Sequence, residues 1–206
     1  RFKTLHGRLP CPAPLRSPPT MAAHGFEDVS GGGGTCTTSL LNNTARSTSA
    51  NGETIRVGAV PIFDIGLSET GGLDGQGNRF IYAVSEELAD SAIAYNETTG
   101  GGITVRNAAG VSIGLIPGRV PFVVLSMGKD QAGAVTAMGV PSSITCPVVG
   151  SSAEAENCAL NGVFSEGLYS EARTVADHFD DILIYDLGTA LPIEGATRMA
   201  VHSQTS

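Results

Sequence analysis

Asp74-Gly75-Gln76-Gly77-Asn78-Arg79-Phe80-Ile81-Tyr82-Ala83-Val84 divides into two kinds of chemistry. Asp-Gly-x-Gly-Asn is turn sequence: Gly adopts positive φ freely, and Asp or Asn side chains bond their own backbone. Arg-Phe-Ile-Tyr-Ala-Val is strand sequence, aromatic and β-branched, with Phe80, Tyr82 and Val84 on one face.

Two later stretches repeat this logic. Val120-Pro121-Phe122-Val123-Val124-Leu125 runs into Ser126-Met127-Gly128-Lys129-Asp130, and His178-Phe179-Asp180-Asp181 runs into Ile182-Leu183-Ile184-Tyr185. The pattern predicts that all three are strands of one antiparallel sheet.

Composition bounds the rest. A chain of 206 residues is one domain, or one domain with a long insertion, and is long enough for a real core. Only 16 % of residues are charged, there are 27 Gly, and Trp is absent. That balance suits a β-rich, loop-rich, exported protein. A net charge of −8 argues against nucleic acid or an anionic membrane surface as partner. The sequence shows neither a transmembrane run nor a signal peptide, and it starts on Arg1, so the expectation is a mature or partial product with sequence upstream.

Cys11, Cys36, Cys146 and Cys158 form no C-x-x-C pair, which disfavours a zinc ribbon or redox motif. An even count in loop-like sequence points to two disulfides and an oxidising compartment. Three connectivities are open, and short loops favour Cys11 with Cys36 and Cys146 with Cys158.

Phe2, Leu5 and Leu9 have helical spacing before Gly7 and Pro10 intervene, so residues 1–9 read as the end of a helix. Residues 10–60 read as loop-rich. Pro10, Pro12, Pro14, Pro18 and Pro19 oppose helix and interior strand, and Gly31 to Gly34 lacks the Lys-Ser/Thr of a phosphate loop. Ile55 to Phe63 reads as a short extended segment, with Pro61 suggesting a sheet edge. Residues 61–206 read as the sheet domain. Within it, Ser85 to Tyr95 predicts a short helix, and Asn107-Ala108-Ala109-Gly110 predicts a hairpin turn. An insertion at about 141–175 carries the second cysteine pair with Glu154, Glu156, Glu166 and Glu171.

In order, the stretches 74–82, 122–130 and 180–185, together with Gly7-Arg8-Leu9-Pro10-Cys11-Pro12 after a helix tail, resemble the type IV pilin-like proteins. The likeness is strongest to the major pseudopilins of type II secretion systems. Gln76 stands where that family usually has Trp. The resemblance implies an α+β, pilin-like fold: the end of a long N-terminal helix packed on an antiparallel β-sheet, with disulfide-pinned loops. It implies a structural, non-enzymatic subunit of a bacterial surface filament or pseudopilus, acting by helical polymerisation. Its partners would be copies of itself, and it would meet the membrane only through a missing N-terminal helix. Its location would be extracellular or cell-surface, with a periplasmic or inner-membrane stage before assembly. A secreted or filament-displayed binding module or adhesin is the other reading.

Calcium is the candidate cofactor, since it takes six to eight hard oxygens from carboxylates and carbonyls on a turning loop. The resemblance carries a calcium loop onto the Met127 carbonyl and Asp130, and Asp180 or Asp181 adds a carboxylate if the last strand lies near. The family loop holds a further acid soon after, whereas Ala132 to Ala137 holds none. The competing reading is that Asp130 is an Asx-turn residue and Asp180-Asp181 a solvated strand start. A Ser126, His178 and Asp180 catalytic set lacks a nucleophile elbow, so no catalytic residue is assigned.

Overall fold

The computed structural model describes residues 5–30, 35–37, 45–48, 52–90, 101–113, 119–147, 152–170 and 179–185. Three of its strands carry the motifs quoted above: β5 (Ile81–Ser85), β8 (Phe122–Ser126) and β10 (Ile182–Tyr185). They are neighbours and antiparallel, with Tyr82 opposite Val124 and Val124 opposite Ile184. Aromatic and β-branched side chains with period-two alternation make these segments strands. β4 (Thr54–Ala59) lies on the other side of β5, and β3 (Ala45–Thr48) lies beyond it, giving the order β10-β8-β5-β4-β3.

Both faces of this sheet are covered. On one face, Ala59, Ile81, Leu125 and Leu183 form a cross-strand row, and Val57, Ala83, Val123 and Tyr185 form the next. They pack against Ile103, Val105 and Phe164 of a second layer. That layer is a three-stranded sheet of β6 (Thr104–Arg106), β7 (Ser112–Ile113) and β9 (Val163–Ser165). Each fully buried aliphatic side chain stabilises the fold by roughly 1.5–3 kcal/mol, so these rows hold the layers together. On the other face, Tyr82 and Val84 meet Ala89 and the Cys11–Cys36 disulfide. Strands buried on both sides explain the near-continuous apolar run of Ile81 to Val84.

Several expectations are met and several are corrected. β6 and β7 flank the Asn107 turn as a hairpin, with Asn107 Oδ1 accepting the N–H groups of Ala109 and Val111. The helix after β5 is shorter than its pattern suggested: α1 covers Glu86–Ala89, and residues 91–100 lie outside the described residues. β1 (Val29–Ser30), β2 (Thr35–Cys36), β3 and β4 all fall within the loop-rich stretch 10–60. β4 is not at the edge, because Pro61 follows the strand and removes no ladder donor from it. The 141–175 stretch contributes α2 (Ala153–Ala159) and β9, and β9 pairs in parallel with β6.

A long N-terminal helix packed on the sheet is not seen among the described residues. Leu5 and His6 are helical, Leu5 is 70 % exposed, and residues 1–4 lie outside the described set. Gly7 has φ +67°, which ends the turn. Leu9 then binds the sheet domain, its N–H donating to the Leu88 carbonyl. Among the described residues no helix is long and apolar enough to cross a membrane.

Candidate metal centre

The opening turn organises the loop that follows β8. Asp74 Oδ1 accepts the backbone N–H groups of Gln76 and Asn78, each at 2.9 Å. Its other oxygen accepts the Ser126 hydroxyl at 2.8 Å. The Asp-Gly-x-Gly-Asn stretch is therefore a conformational device, and it engages Ser126, the serine weighed above for catalysis. His178, of the same set, lies outside the described residues. Arg79, beside the turn, is also structural. It is buried and donates to the carbonyls of Leu15, Ser17 and Ala137 at 2.6–2.8 Å.

After Ser126 the chain turns sharply. Met127 puts its side chain into the core. Gly128 has φ +59°, and a Cβ there would overlap Asp180 Oδ1. The glycine is needed twice, for the left-handed backbone and for the space the carboxylate fills. Asp180 Oδ2 accepts the N–H groups of Lys129 at 2.6 Å and Asp130 at 2.9 Å. Asp130 Oδ1 accepts the Ala132 N–H at 2.8 Å, so the Asx-turn expectation holds for this residue. The expectation that Asp180-Asp181 is a solvated strand start fails. Both are buried, at 4 % and 7 % exposure, because the loop and α2 close over the start of β10.

A third segment completes the cluster. Glu154, in the first turn of α2, is 2 % exposed. One carboxylate oxygen from each of Asp130, Glu154 and Asp180 lies within 4.8 Å of the other two. Opposite ligands around calcium are about 4.6–5.2 Å apart, given ligand distances of 2.3–2.6 Å. The donor set is three hard carboxylates, the class calcium prefers, and the groups present fit that ion.

Burial and mutual repulsion make the Glu154 and Asp181 carboxyls hold their protons more strongly. Burial pushes the Glu154 carboxyl up to about 9, helped by a hydrogen bond to Asp130 and by the charges of Asp181, Asp130 and Asp180. Burial also pushes Asp181 up to about 7, against a lowering hydrogen bond from Asn157, whose amide nitrogen donates to Asp181 Oδ2 at 3.0 Å. Four acids thus share one buried neighbourhood.

The structure brings Asp130 and Asp180 together as the sequence suggested, with Met127 at the same turn. It adds Glu154, which sequence reasoning left without a role. A signal for it was present: Glu154 is four residues before Cys158, so a helix there sets it on the half-cystine's face. The disulfides pair Cys11 with Cys36 and Cys146 with Cys158. No protein-family model, curated protein or solved structure matches the chain.

Proposed function

We propose that this chain is the globular part of a pilin-like filament subunit, exported and displayed at the cell surface, whose loop after β8 binds calcium. The observation that carries the calcium reading is the convergence of Asp130, Glu154 and Asp180 from three separate segments. The Met127 carbonyl completes the loop's contribution in the resemblance to pseudopilins. A bound calcium ion would supply positive charge where the fold has gathered only negative charge, tying the loop and α2 to the start of β10. Its role is structural: it would set the surface that neighbouring subunits meet.

The filament reading is supported by the order of the three motif-bearing stretches, which become adjacent antiparallel strands. Polymerisation would be a heterologous, open contact repeated along a helix. Two experiments test the two halves. Calorimetric titration of the metal-free domain with calcium chloride should release heat and raise the melting temperature; no heat and no shift would end the calcium reading. Electron microscopy of sheared cell-surface material should show helical filaments containing this chain, and filament-free preparations that still contain it would refute the subunit reading.

A further inference from the structure

Helix α2 is seven residues long, far too short to persist on its own propensity. It is held at three points. Ser152 caps it, its hydroxyl accepting the Ala155 N–H at 3.1 Å. Asn157, fully buried, donates to the Ser165 carbonyl and to Asp181, and accepts the Ser165 N–H at 2.7 Å. Cys158 is joined to Cys146.

The third anchor reaches the calcium loop directly. A Cβ on Gly133 would lie 2.5 Å from Cys158 Sγ and 2.6 Å from Cys146 Sγ, so both sulfurs sit against the loop backbone at a residue with φ +73°. The Gly133 N–H donates to the Ile144 carbonyl, which brings the strand of chain before Cys146 onto the same loop. Glu154 and Cys158 are one helical turn apart and face the same way. The face of α2 that presses its disulfide on Gly133 therefore presents Glu154 to Asp130, three residues earlier in that loop. Ser152, Asn157 and the disulfide hold α2 together, and the disulfide is the anchor seated against the loop that carries Asp130.

We propose that closure of the Cys146–Cys158 disulfide makes the calcium site competent, by delivering Glu154 as its third carboxylate ligand. This rests on the calcium reading above. Oxidation then precedes ion capture in maturation. Two thiols lose two protons and two electrons to the disulfide of an exchange catalyst; one sulfur–sulfur bond forms here, and the catalyst's is reduced to its dithiol.

Calcium chloride titrations of five proteins test this: the disulfide-closed chain, Glu154→Gln, Gly133→Ala, the double variant Cys146→Ser/Cys158→Ser, and that double variant with Glu154→Gln added. Glu154→Gln keeps size and shape, and Gly133→Ala changes neither a ligand nor a cysteine. The expected result is binding by the parent chain, with affinity at least tenfold weaker in each variant. Adding Glu154→Gln to the double serine variant should cost little more, because the ligand is already lost. Parent-like affinity in Glu154→Gln or in the double serine variant overturns the proposal and leaves a calcium site built from Asp130 and Asp180. If the double serine variant does not fold, Gly133→Ala decides: parent-like affinity there overturns the proposal, and weakened affinity with the disulfide intact supports it. Absence of binding by the parent chain removes the calcium reading itself, and this proposal with it.

Discussion

Gly128→Ala and Gly77→Ala form a matched pair that measures how much the Asp180 contact is worth. Both glycines have positive φ, +59° and +80°. Alanine in that region costs roughly 1–2 kcal/mol from backbone sterics alone. At Gly77 nothing lies within 4 Å of the new Cβ, so that strain is the whole effect. At Gly128 the Cβ takes the place of Asp180 Oδ1, and the carboxylate must leave. It then gives up its bonds from the Lys129 and Asp130 N–H groups. Hydrogen bonds to a charged group contribute about 1.5–3 kcal/mol each, so Gly128→Ala should cost about 3–6 kcal/mol more than Gly77→Ala. Against a total stability of about 5–15 kcal/mol, that is a large fraction. Urea unfolding at one pH in chelator, read by circular dichroism, gives both values. Equal m values would confirm that the native state is compared like for like. A difference below about 0.5 kcal/mol would show that Asp180 does not hold this loop, and the geometry built on it would fall.

Three further outcomes follow from named contacts. Asp74→Ala removes two backbone bonds and the Ser126 bond, but water reaches this half-buried turn and offsets part of the loss, so stability should fall by about 2 kcal/mol in a urea melt; an unchanged midpoint would refute its organising role. Arg79→Met takes the donor from two buried carbonyls and a half-buried one and should cost about 3–5 kcal/mol by the same assay; a loss under 1 kcal/mol would contradict that burial. In chelator, stability should fall as pH rises. Asp181 and Glu154 have folded-state values raised above their ordinary 3.8 and 4.5, so their contribution is full below about pH 4 and lost as pH climbs through 7 toward 9. For Asp181 a rise from 3.8 to about 7 is worth about 4 kcal/mol. The melting temperature in chelator should be lower at pH 8 than at pH 5, with saturating calcium narrowing the gap; the opposite trend in chelator would refute the burial of these acids.

The sheet was legible where local chemistry and position agree. Phe122 to Leu125 and Ile182 to Tyr185 are β-branched and aromatic runs between turn residues, so their strand character needs no tertiary information. β4 was legible as the extended segment Ile55 to Phe63, but Pro61 suggested an edge, and its interior place is set only by pairing with β3 and β5. The parallel pairing of β6 with β9 joins segments far apart in sequence, and only the core around Val105 and Phe164 selects it. At the site, Asp130 and Asp180 could be named because each borders a strand end. Glu154 looks like any acid near a helix start, stabilised by the N-terminal dipole. Its burial depends on where a disulfide presses α2, and that is a property of the fold.

Asp180 and Asp181 pose a question that packing alone does not answer. Asp180 and Asp181 lie just before β10 and reach different partners, so one dipeptide engages both the loop after β8 and Asn157 of α2. Neither task needs a charge, because an asparagine oxygen can also accept two backbone N–H groups. What a carboxylate adds is negative charge, which strengthens those two bonds and is opposed by the acids around it. Asp180→Asn separates the two roles. If Asp180 is a calcium ligand, the variant in chelator at pH 8 should stay close to the parent, because losing one repelling charge offsets the weakening of its two hydrogen bonds. In saturating calcium it should lose most of the parent's gain, which for an ion at 100 times its dissociation constant is about 2.7 kcal/mol. Thermal melts of both proteins in chelator and in calcium decide it. A variant destabilised equally in the two conditions would make Asp180 a holder of the loop alone, and calcium would lose the ligand that links the loop to the strand.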